Sequence, residues 1–213
     1  MKKLFLAIIG ILLITSCNVL WDVDTTGNVS KISCKPEIKV IGDAIISTET
    51  GGSYTEQGVE AYACDTPLTY TIVSGNVDPN TPGLYQVVYK ATNGFGWSGY
   101  GYRTVLVYSG NPYATNIEGN YRVNFISEET SIVSKNDVYG FWSVSNVIEN
   151  ASKPCPVVMV EDPDNAAHFI VVPGSWDAYG RYSGSAVFSN NSLEYSINFL
   201  DKGLTKTYTW HKF

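Results

Sequence analysis

The sequence predicts an all-β protein built from two antiparallel domains, a β-sandwich followed by a second domain that is either a sandwich or a small barrel. Three observations carry this. Tyrosine counts 15 and glycine 19, aromatics make up 13% of the chain, and charged residues only 16%. Such a composition, rich in β-branched and aromatic residues, suits a pleated, half-buried surface. Short runs of alternating apolar and polar residues recur between turn signals. And no amphipathic helix of ten or more residues can be found.

The alternating runs fall in order. Ile38 and Val40 alternate with Glu37 and Lys39, and Tyr70 and Ile72 with Thr69 and Thr71. Tyr85, Val87, Tyr89 and Ala91 alternate with Gln86, Val88 and Lys90, and Tyr102 to Tyr108 is strand-like. Gly51-Gly52, Asp78-Pro79-Asn80, Pro82-Gly83 and Asn93-Gly94 separate them as turns. These elements define a sandwich over residues 36–108. Ser109-Gly110-Asn111-Pro112 breaks the pattern, so 109–116 is expected to be a linker. Tyr121, Val123 and Phe125 then alternate with polar residues, and Phe141–Val147, Val157–Val160 and Phe169–Val172 are further strand candidates. Leu193, Tyr195, Ile197 and Phe199 alternate strictly, Asp201-Lys202-Gly203 turns the chain, and Leu204 to Trp210 returns as a hairpin. The second domain is expected over 117–213.

The N-terminus bears on the compartment. Lys2 and Lys3 precede an apolar run from Leu4 to Ile14. Eleven residues are too few to span a bilayer, which needs about 20, but they suit a signal-peptide core. The run ends in Ile14-Thr15-Ser16-Cys17. This resembles the lipobox of bacterial lipoproteins, which implies cleavage after residue 16 and lipid modification of Cys17. Residues 1–16 are then a lipoprotein signal peptide and 17–35 a lipidated tether. Several acyl chains on one residue anchor stably, whereas one chain is marginal. The resemblance implies an outer-membrane lipoprotein, facing the cell surface or the periplasm. Removing residues 1–16 leaves 12 basic and 20 acidic residues, a net charge of −8. A chain this acidic repels phosphate backbones, which argues against a nucleic-acid partner.

Within 36–108 a longer pattern stands out. Gly51-Gly52-Ser53-Tyr54 is followed by Gly58-Val59-Glu60-Ala61 and Val73-Ser74-Gly75-Asn76-Val77-Asp78. Asn80-Thr81-Pro82-Gly83-Leu84-Tyr85 and Ala91-Thr92-Asn93-Gly94-Phe95-Gly96-Trp97-Ser98 complete it. The segment resembles the bacterial Ig-like domain named for pesticidal crystal proteins, which is common in surface lipoproteins of polysaccharide-foraging Gram-negative bacteria. Where such domains often carry an Asp-Gly stretch, this chain has Cys64-Asp65-Thr66-Pro67. Residues 117–213 more faintly resemble the uncharacterised β-domain that follows this module. If the first two strands of the Ig-like sheet run antiparallel, Cys34 before the first lies near Cys64 at the end of the second. A bridge there would close a loop of about 30 residues, worth ~3–4 kcal/mol in the chain-entropy model. Cys155, between Pro154 and Pro156, would stay free.

The sequence offers no catalytic constellation. It has no nucleophile elbow and no phosphate loop. His168 and His211 have no Cys or His at ligand spacing, so no metal site and no cofactor are expected. Glu161, Asp162 and Asp164 lack the turn glycine of a calcium loop and read as a solvated turn. Trp142 and Trp210, inside alternating runs, read as core.

Aromatics among glycines are different. Phe95 to Tyr102 and Trp176 to Tyr182 read as loops whose rings are free to be exposed. Flat rings flanked by a few polar groups suit the C–H faces of sugars. The binding candidates are Trp97, Tyr100, Trp176, Asp177, Tyr179 and Arg181. The leading expectation is a non-enzymatic, membrane-anchored protein that binds glycan as an accessory of polysaccharide uptake. A structural or adhesive spacer that holds an outer-membrane partner protein is the alternative, and a hydrolase the third reading. Glycan binding requires exposed rings in one groove; a spacer leaves them buried or scattered.

Overall fold

The computed structural model describes residues 34–123, 128–150 and 152–213. The expected signal peptide, Cys17 and nearly all of the expected tether lie outside these residues, as does Phe125. Among the described residues there are fifteen β-strands and no helix.

The N-terminal half is a sandwich of two sheets. One joins β1 (Pro36–Val40), β3 (Val59–Ala63) and β4 (Thr66–Pro67) in that order. The other has the order β2 (Ile45–Glu49), β7 (Ser98–Tyr108), β6 (Gly83–Thr92), β5 (Tyr70–Ser74), with β2 parallel to β7. Alternation decides which residues face inward. Val87, Tyr89 and Ala91 of β6 and Arg103, Val105 and Val107 of β7 are buried. Gly99 and Gly101 lie on the same face of β7, where β1 crosses it. A Cβ at residue 99 would sit 2.2 Å from the Pro36 carbonyl oxygen, and one at 101 would meet Ile38 at 2.5 Å. These glycines therefore belong to a strand that needs close approach, not to the loop that the sequence suggested.

The substituted stretch at Cys64 is a tight hairpin. Ala63 pairs with Thr66, and Cys64 has a φ of 52°. β1 pairs antiparallel with β3, with Pro36 opposite Ala63. Cys34 and Cys64 are each disulfide-bonded, and Cys155 is a free, buried thiol.

The C-terminal half is a closed barrel of eight strands. These are β8 (Gly119–Arg122), β9 (Thr130–Lys135), β10 (Phe141–Val144), β11 (Val157–Glu161), β12 (His168–Trp176), β13 (Gly180–Ser189), β14 (Ser192–Phe199) and β15 (Leu204–Lys212). Each pairs antiparallel with the next in the chain, and β15 returns to β8, so the barrel is an up-and-down meander. Eight strands enclose a space about wide enough for side chains to fill. Tyr121, Trp142, Phe169, Tyr195, Phe199 and Trp210 fill it, all fully buried. Trp210 donates through Nε1 to the Val147 carbonyl at 3.2 Å.

Residues 35–213 pack as one unit. A separate apolar cluster of Leu106, Phe141, Val160 and Val172, flanked by Ile45, Leu84, Tyr108, Val158 and Ile170, joins the sandwich to the outside of the barrel. Strands β11 and β12 are apolar on both faces for this reason. Val157, Met159, Phe169 and Val171 point inward, while Val158, Val160, Ile170 and Val172 meet the sandwich.

The 109–116 segment is held at both ends. The Tyr113 hydroxyl accepts from the Gly140 amide at 2.9 Å and donates to the Phe141 carbonyl at 3.3 Å. Glu161 corrects the solvated-turn reading. It is buried at the end of β11, accepts the Thr115 amide at 2.9 Å and the Ala167 amide at 2.9 Å, and also takes the Thr115 hydroxyl.

Candidate functional site

Two hairpins place the aromatic candidates. In the first, β6 and β7 are joined by residues 93–97, and Asn93 organises the turn. Its Oδ1 accepts the amides of Phe95 and Trp97, each at 3.0 Å, and its carbonyl accepts the Gly96 amide at 3.0 Å. Gly96 takes the left-handed conformation the turn requires, with φ +82°. With Asn93 held inside, Phe95 and Trp97 are turned out, at 57% and 47% exposure. Tyr100 follows in β7, at 39%.

In the second hairpin, Trp176 closes β12, Gly180 opens β13, and 177–179 form a three-residue turn. The Tyr179 amide donates to the Trp176 carbonyl at 3.2 Å, and Gly180 has a φ of +78°. That is a turn followed by a left-handed residue, the usual form of three-residue hairpins. Glycine is needed here on a second ground, because a Cβ would sit 2.4 Å from Asp201 Oδ2.

Asp201 clamps Arg181. Its Oδ2 accepts the Arg181 amide at 2.8 Å, and its Oδ1 accepts Nε at 2.9 Å and Nη2 at 2.7 Å. These hydrogen bonds hold the Asp201 carboxyl below the usual carboxylate range, with the nearby Lys35 ammonium adding to the effect. They also raise the Arg181 pKa. So fixed, the Arg181 guanidinium lies 5.1 Å from the Tyr100 ring centroid, and its Nη1 is 3.5 Å from the Tyr102 hydroxyl. The hairpin of the sandwich and the hairpin of the barrel thus meet through Arg181, Tyr100 and Tyr102.

Not all six candidates stand alike. Trp97 and Tyr100 are exposed, and Arg181 joins Tyr100 to the barrel. Trp176 and Tyr179 differ from the expectation of free rings. They are half-buried and stacked on each other, 5.3 Å apart at 13°, and both lean on Phe199. Trp176 Nε1 donates to the Pro154 carbonyl at 3.1 Å. The cause is their position at strand ends over the barrel mouth, where rings find apolar neighbours. Asp177 is exposed and faces Lys153 at 3.8 Å.

Four contributors escaped the sequence reading: Lys35, Lys90, Tyr102 and Asp201. Lys90 was accessible by counting through the Asn93-Gly94 turn, since it pairs with Tyr100 across the hairpin. Lys35 and Asp201 reach the site only through tertiary contacts that no local pattern signals.

A groove of about 290 Å³ lies at the other end of β7, lined by Leu106, Tyr108, Pro112, Glu161 and Asp162. Its buried carboxylate is committed to Thr115 and Ala167, and no ring candidate lines it. No group of three or more His, Cys, Asp or Glu able to hold a metal occurs among the described residues.

Residues 38–107 match the model of a family described as the Ig-like domain of bacterial surface proteins. The N-terminal sandwich is a bacterial surface Ig-like domain. The match spans β1 to β7 of the Ig-like domain nearly end to end and leaves the barrel outside it. No curated protein matches the chain. Among solved structures, the chain aligns with the lipoprotein BT2262 from Bacteroides thetaiotaomicron. The identity is 19% and the TM-score 0.34, over 83% of this chain and 100% of that one. It also aligns with the M60 catalytic domain with the CBM51-1 and CBM51-2 domains of ZmpB from Clostridium perfringens. There the identity is 13% and the TM-score 0.31, over 86% of this chain and 19% of that one. Neither likeness is close enough to carry an argument about function.

Proposed function

We propose that this protein is a non-enzymatic lipoprotein of the bacterial outer membrane, anchored through Cys17, that binds glycan where the Ig-like hairpin meets the barrel's β12–β13 hairpin. The observation that carries the reading is exposed Tyr100 with Arg181 fixed 5.1 Å from its ring by Asp201, beside exposed Trp97 in the same hairpin with Lys35 5.6 Å from its ring. Rings with one face in solvent cover sugar C–H surfaces, and clamped polar groups set orientation. The Trp176–Tyr179 stack packs on Phe199 in the hairpin that carries Arg181, so its role is to support that hairpin. Ig-like surface domains suit display of such a site at a distance from the membrane.

The packed seam of Leu106, Phe141, Val160 and Val172 favours a second reading, because two halves packed on each other also suit a spacer that holds a partner protein. A glycan array with the full-length protein in detergent separates the two. Glycan binding that falls in Trp97→Ala and persists in a surface control such as Lys39→Ala supports the first reading. Absence of binding to every polysaccharide, with each protein folded, leaves the spacer.

A further inference from the structure

We infer that the glycan is anionic, carrying uronate or sulfate groups; this rests on the glycan reading above and names its substrate class. Rings and cations are interleaved at this end of the molecule. Lys35 Nζ lies 5.6 Å from the Trp97 ring centroid, and Lys90 Nζ 5.9 Å and Arg181 Cζ 5.1 Å from that of Tyr100. Lys206 Nζ, on β15, is 5.2 Å from the ring of Tyr179 in the β12–β13 hairpin. These cations gather in a chain whose acidic residues outnumber its basic ones, 20 to 14.

Their pairing sets their roles. Arg181 spends two of its nitrogens on Asp201, so it acts as a flat extension of the Tyr100 platform. Lys35 and Lys90 have no carboxylate within salt-bridge distance among the described residues. Each therefore holds an ammonium group beside a solvent-facing ring without a contact ion pair among the described residues, and the Asp201 carboxylate near Lys35 is already clamped by Arg181. A neutral sugar needs rings and hydrogen-bonding groups but gains little from bare ammonium groups. An acidic pyranose uses both at once: its C–H face covers the ring, and its carboxylate or sulfate meets the ammonium. The net negative charge of the whole chain does not prevent this, because at physiological salt charges are screened within about 8 Å and the local cations govern.

The test is an equilibrium titration of the full-length protein in detergent with polygalacturonate, chondroitin sulfate, neutral dextran, neutral galactan and polyglutamate. Binding to one or both acidic polysaccharides, and not to the neutral ones, is expected. Polygalacturonate binding shows that uronate suffices; binding confined to chondroitin sulfate, which carries uronate as well, points to sulfate as the group read. Raising NaCl from low to high concentration should weaken binding by about tenfold. The double variant Lys35→Gln with Lys90→Gln should lose roughly three- to tenfold, and Lys35→Arg with Lys90→Arg should keep binding. Neutral glycans bound as tightly, without salt dependence, would overturn the anionic inference and leave the glycan reading standing. Polyglutamate bound as tightly as polygalacturonate would overturn it in favour of an acidic protein partner. No binding to any polymer by the folded protein would overturn both readings.

Discussion

One face of β7 shows two ways of meeting a neighbour. Leu106 and Tyr108, at its C-terminal end, enter an apolar seam against the barrel. Tyr108 continues into a chain of edge-to-face rings, to Tyr139 at 5.2 Å, on to Tyr113 at 5.3 Å, and to Trp142 in the barrel core at 4.9 Å. Tyr100 and Tyr102, at the N-terminal end of the same face, meet a guanidinium and leave ring surface in solvent. The seam buries Leu106, Phe141, Val160 and Val172 between the halves. Rings kept exposed beside cations at the other end contribute little to such burial, and this is the pattern of a binding surface.

The largest effect expected is in the seam. Phe141→Ala removes a fully buried ring and should cost about 3–5 kcal/mol in urea denaturation, with glycan binding retained under native conditions. A cost under about 1 kcal/mol would show that the seam is not packed.

The opposite face of β7 carries the next largest. Arg103 is fully buried there, paired with Glu56 at 2.6 Å and donating to the Ile41 carbonyl. Glu56→Ala leaves that charge uncompensated and should cost about 3 kcal/mol, measured the same way. Burial alone would push the Glu56 carboxyl up. Hydrogen bonds from the Tyr54 hydroxyl and the Gly58 amide, with the Arg103 charge, more than offset it, so its pKa lies below the ordinary value. A carboxyl depressed on folding stabilises fully above its unfolded pKa, about 4.3, and loses that contribution as pH falls through the folded value. The wild type should therefore lose stability in acid, and Glu56→Gln should lose less over the same range.

Gly140→Ala should cost about 2 kcal/mol, since Gly140 has a φ of +88° and a Cβ would sit 2.5 Å from Leu106 Cδ2. The smallest stability change belongs to Tyr100→Ala, under about 1 kcal/mol, because the ring is already 39% exposed. Its glycan affinity should nonetheless fall about tenfold. A Tyr100→Ala variant as unstable as Phe141→Ala would make the two ends of β7 alike.

The sequence made different parts of this arrangement legible to different degrees. Leu193-Glu194-Tyr195-Ser196-Ile197-Asn198-Phe199 alternates because one side of β14 faces the barrel core and the other faces water, so strand and hairpin were plain. Val157-Val158-Met159-Val160 and Phe169-Ile170-Val171-Val172 do not alternate. They were recognisable as strands, but their second apolar face was the signature of the seam, and a run apolar on both sides does not say what covers it. Strand β9, Thr130–Lys135, gave no clear signal, since it starts and ends in polar residues. At the site, both aromatic hairpins could be named, but glycine concealed their strands. Gly99 and Gly101 serve close packing against β1, which looks like a loop in one dimension. Which rings are exposed follows from what lies over the barrel mouth, and that is a tertiary fact.

Hydrogen exchange of the full-length protein, with and without polygalacturonate, tests most directly the claim that the two hairpins form one site. Slowed exchange is expected in residues 95–102 and 179–182 together, with the seam around 106 and 141 unchanged. Slowing confined to one hairpin, or located elsewhere on the molecule, would contradict that claim.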